Sequence, residues 1–130
     1  MISSAHELAT EDASWLAIRY PAVVRLLERE LTSADGDALA AGLELACRAL
    51  GGRAGGAELR LDHHALRAGL AAVRGGRCDR AMVRAIRGQI DGLAVVLTGA
   101  EEDAVATAIA AIIWAVVDAS THELGEALVA

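Results

Sequence analysis

The chain has no phenylalanine, no lysine and no asparagine, a single proline, two cysteines, and only Trp15, Tyr20 and Trp114 as aromatics. Each scarcity removes a class of protein. Two cysteines, Cys47 and Cys78, exclude a disulfide-dense secreted scaffold. So few aromatics leave no stacking platform of the kind used for single-stranded nucleic acids. The G-x-x-x-x-G-K-[ST] phosphate loop is missing, and so is the second histidine of an H-E-x-x-H metal helix. No long apolar run exists either. The most hydrophobic stretch, residues 104–117, falls short of the roughly 20 residues a membrane span needs and predicts a buried core helix.

What is present argues for helices. The chain is 130 residues with 55% apolar composition, and 30 of its residues are alanine. That length predicts one domain with room for a core of its own. The start, Met1 to Glu7, has no basic n-region, so the expected setting is the cytoplasm, with reduced thiols. Twelve arginines and no lysine point to an arginine-rich codon usage such as that of a high-GC bacterium.

Caps and breakers predict a compact all-α bundle of five to six helices. Ser4-Ala5-His6-Glu7 has the form of a capping box, in which the hydroxyl accepts from a first-turn amide and the carboxylate from the N–H of the capping serine. Pro21 suits the first turn of a second helix to Leu31, with Val23, Val24, Leu27 and Leu31 on its apolar side. A third helix runs to Leu50 with Leu39, Leu43, Ala46 and Leu50 on one stripe. Residues 51–56 hold four glycines and read as a linker between two halves of one bundle. Asp62 and Asp79 cap the next two helices, the second of which is expected to reach Leu97 in phase with Ile86 and Ile90. Thr98-Gly99-Ala100-Glu101 is a further capping box, opening a helix that is apolar nearly all round. Ser120-Thr121-His122-Glu123 repeats the pattern and predicts a separate short tail helix.

Charge is unevenly spread. Residues 58–87 carry seven arginines against three acids, a net of +4, while the rest of the chain stands at −10. Arg67 and Arg74 lie on one predicted helix, Arg77 in the following turn, and Arg80, Arg84 and Arg87 along one face of the next. This ridge is a candidate binding surface for an acidic protein or a phosphate ligand. Nucleic acid is disfavoured, because the overall charge of −6 opposes its approach and no basic tail is present.

Chemistry-bearing residues are few. His63 and His64 are adjacent, and neighbouring helical residues point about 100° apart, a poor arrangement for holding one ion. The pattern predicts exposed first-turn histidines rather than a metal site, and no cofactor is expected. Cys78, between Arg77 and the Asp79 cap, is the candidate reactive thiol, whereas Cys47 borders an apolar stripe and reads as core. No catalytic set is assembled. The expectation is a non-enzymatic protein-interaction module, adaptor or regulatory in kind, that self-associates as a homodimer. Its candidate interface is Ile109, Ile112, Ile113, Trp114, Val116 and Val117 on the most apolar helix. The alternative expectation is a nucleic-acid or phosphate-ligand binder working through the arginine ridge.

Overall fold

Three helices begin where a side chain accepts amides that have no partner inside the helix. The Asp62 carboxylate accepts from the Ala65 N–H at 2.8 Å, and the Asp79 carboxylate from the Ala81 N–H at 2.9 Å. At Thr98 the capping box closes in both directions. The Glu101 N–H donates to the Thr98 hydroxyl at 3.2 Å and the Thr98 N–H to the Glu101 carboxylate at 3.1 Å. Pro21 opens another helix, where its missing N–H costs nothing.

The computed structural model describes residues 14–31, 37–51, 61–77, 79–93 and 95–129, with only the backbone course given for Gly51 and 119–129. Among these residues the chain is an all-α bundle of six helices without strands. They are α1 (14–19), α2 (Pro21–Glu30), α3 (Asp37–Gly51), α4 (His63–Arg74), α5 (Arg80–Asp91) and α6 (Gly99–Val129). The Ser4 capping box and most of the glycine-rich linker lie outside the described residues.

Helix α6 is the axis of the packing. It touches α2, α3, α4 and α5, most extensively α4. Around it α2 also touches α3 and α4, and α3 touches α5, but α4 and α5 do not pack on one another. Val105, Ala106, Ala108, Ile109, Ala110, Ala111, Ile112, Ala115 and Val116 of α6 are all buried. Five of these nine are alanine, which lets neighbouring backbones come close. The closest approach is at Gly69, where a Cβ would run into the Ala111 carbonyl oxygen and lie 3.3 Å from the Ala111 Cα. Large side chains fill the remaining depth. Leu16, Val23, Leu26, Leu27, Leu45 and Leu66 are fully buried, each stabilising by about 1.5–3 kcal/mol. Buried residues from before and after the glycine-rich stretch join one cluster.

Two expectations are corrected. The fifth helix does not reach Leu97. It stops at Asp91, with Gly92 as its C-cap, and residues 95–98 are not helical. Gly88 and Gly92 within one turn, followed by β-branched Val95 and Val96, outweigh the helical phase of Leu93 and Leu97. Nor does the chain restart at Ser120. Helix α6 continues unbroken for 31 residues, roughly 45 Å. Ser and Thr cap only where the chain enters a helix from non-helical backbone. Here Ala119, Glu123 and Leu124 favour continuation, and Gly125 is the first glycine after Gly99.

Candidate functional site

The six arginines of the expected ridge stand on α4, the turn after it, and α5. Helix α5 rests on Ile86 and Ile90, so the opposite side of the cylinder faces solvent. Arg80 and Arg84 sit there one turn apart, both exposed. The turn between α4 and α5 relies on Gly76, whose φ of 74° lies in the left-handed region that glycine enters without strain. Arg77 follows at once and is exposed, as is Arg67 on α4.

The fold itself uses two of the six arginines. Arg74 reaches across to α2 and donates to the Glu30 carboxylate at 2.9 Å. Arg87 donates to Asp103 and lies 4.0 Å from Glu102, both near the N-terminal end of α6. These carboxylates also suit the positive end of the α6 dipole. These pairs are partly solvated and add little stability, but they occupy both guanidinium groups. Arg67, Arg77, Arg80 and Arg84 remain, forming no ion pair among the described residues. Sequence spacing groups all six arginines together. What divides them is contact with residues 16 and 44 positions away.

The candidate interface on α6 divides in a similar way. Ile109 and Ile112 are fully buried inside this bundle and Val116 nearly so, so none of them offers an exterior surface. An apolar ring on a central helix is consumed by its own neighbours. Ile113 and Trp114 are half-buried, and Val117 is 55% exposed. These three are close on the helix surface at spacings of one, three and four. Among the described residues, two exposed large apolar side chains were not singled out as interface by the sequence, Val96 at 92% and Ile18 at 83%. Val96 comes to the surface because α5 ends early.

His63 and His64 are exposed on the first turn of α4. Among the described residues no three metal-ligating side chains gather. Cys47 is half-buried against the core cluster, while Cys78 lies outside the described residues. Among the described residues no polar or charged side chain is buried. No helix among them is long and apolar enough to cross a membrane. Compared with protein-family models, curated proteins and solved structures, the chain matches none.

Proposed function

We propose that the chain is a non-enzymatic helical protein-interaction module, an adaptor or regulatory subunit of the cytoplasm that self-associates as a homodimer. The observation that carries this is the band Ile113, Trp114 and Val117, where α6 passes from wholly buried to exposed. Tryptophan flanked by aliphatic residues at a half-covered surface is the composition of an interface centre.

Sedimentation velocity across micromolar concentrations tests it. The expected result is a dimer that dissociates on dilution, shifted to monomer by Val117→Asp with helix content unchanged. A wild-type chain that stays monomeric at every concentration overturns self-association. A dimer indifferent to Val117→Asp overturns the band as its seat. A second reading, binding of nucleic acid or phosphate, has one observation in its favour: Arg67, Arg77, Arg80 and Arg84 form no ion pair among the described residues.

A further inference from the structure

Once Arg74 and Arg87 are set aside as fold contacts, the remaining positive charge centres on the outer face of α5. We propose that this face, with Arg80 and Arg84 at its middle and Arg77 at its leading end, docks an acidic helix of a partner protein. The inference rests on the interaction-module reading but not on self-association.

Position comes first. Arg80 and Arg84 are separated by one helical turn, about 6 Å along the axis. They stand on a helix anchored from behind by Ile86 and Ile90, so the two guanidinium groups are presented from a fixed base. Half-buried Val83 lies beside the row, three residues from Arg80 and four from Arg87, and supplies an apolar edge.

Among the described residues, nearby acids leave the row uncompensated. The Asp79 and Asp62 carboxylates accept helix-capping amides at the starts of α5 and α4. Glu102 and Asp103 are engaged by Arg87. Asp91 shares this face but lies at its far end, beyond Arg87. Exposed arginines in that state remain available to carboxylates or phosphates through their planar fork of donors.

The choice of occupant follows from the surroundings. A single phosphate at the α5 N-terminus would need amides beside the Asp79 carboxylate, which already accepts from Ala81 and repels an anion. A nucleic acid needs a long track of backbone contacts, yet this chain carries a net charge of −6, no lysine or asparagine, and one glutamine. A helix with carboxylates four residues apart repeats the spacing of Arg80 and Arg84. It also brings far less charge density than a nucleic acid.

Fluorescence anisotropy with a short synthetic helical peptide, bearing glutamates four apart on one face, tests the proposal on the full chain. Its glutamine counterpart, a DNA duplex and inorganic phosphate serve as comparison ligands. The expected result is binding of the glutamate peptide alone, weakening as salt is added. Arg80→Gln with Arg84→Gln should weaken it about tenfold, whereas Arg48→Gln, on α3, leaves it unchanged. Equal binding of the glutamine peptide overturns the proposal, as does no binding of the glutamate peptide. Preferential binding of the duplex or of phosphate overturns it in favour of the second reading above. The double variant must keep its thermal unfolding midpoint and its sedimentation behaviour; a changed midpoint moves the test to Arg84→Gln alone, read the same way. A monomeric chain that still binds the glutamate peptide sinks self-association and leaves the docking face standing.

Discussion

Helices α4 and α5 have the same outline and different roles. Each is twelve residues long, begins on an aspartate cap, ends at a glycine, and contains one interior glycine. In α4 that glycine, Gly69, is buried with its Cα turned to the Ala111 backbone. In α5 it is Gly88, with open space where a Cβ would stand. Helix α4 therefore lies backbone to backbone on α6 and buries Leu66, Gly69, Leu70 and Ala72. Helix α5 stands off, held by Ile86, Ile90 and the Arg87 pairs. The same residue type shortens a contact in one helix and merely loosens the chain in the other. One helix is structure, and its twin is surface.

The largest effect expected from this contrast comes from emptying the two contacts. Leu66→Ala, at a fully buried side chain, should cost about 2–5 kcal/mol in chemical denaturation. Ile86→Ala should instead raise hydrogen exchange within α5 before global unfolding, because α5 has two buried anchors and no contact with α4. Loss of exchange protection spread evenly over both helices would erase the distinction. Next in size is Gly69→Ala. Its added methyl meets a backbone carbonyl that cannot turn aside, so a loss of about 1–3 kcal/mol is expected. The smallest effect has the opposite sign. Gly88→Ala should gain about 0.5–1 kcal/mol, since nothing obstructs the methyl and the unfolded chain loses freedom. If both alanine variants moved stability in the same direction, the two glycines would not differ as described.

Much of the fold is legible in the sequence because its signals are local. The Asp62, Asp79 and Thr98–Glu101 caps, Pro21 at a first turn and the Gly75-Gly76 stop each act within a few residues. Helix ends without such a signal are harder to place. Periodicity through Leu93 and Leu97 points past the true end of α5, because apolar spacing says which way side chains would face but not whether the backbone stays helical. Ser120 shows the reverse fault, a capping pattern inside a helix that has no reason to stop. The arginine ridge is legible as a row and not as a set of partners, since Glu30 and Asp103 meet it only in three dimensions. In the same way, the all-round apolar composition of α6 does not say how many neighbours cover each face. Ile112 and Val117 look alike in sequence, yet one is fully enclosed and the other more than half exposed.

The helix against which α2 to α5 all lean is also the last of the six in chain order. On the ribosome, the earlier helices leave the exit tunnel before the element that would shelter their greasy sides has been made. Their caps can start local turns, but no lasting burial is available until residues 99–116 have emerged. Folding of the bundle therefore waits for α6, and until it emerges the nascent segments need dilution or a chaperone to keep them apart.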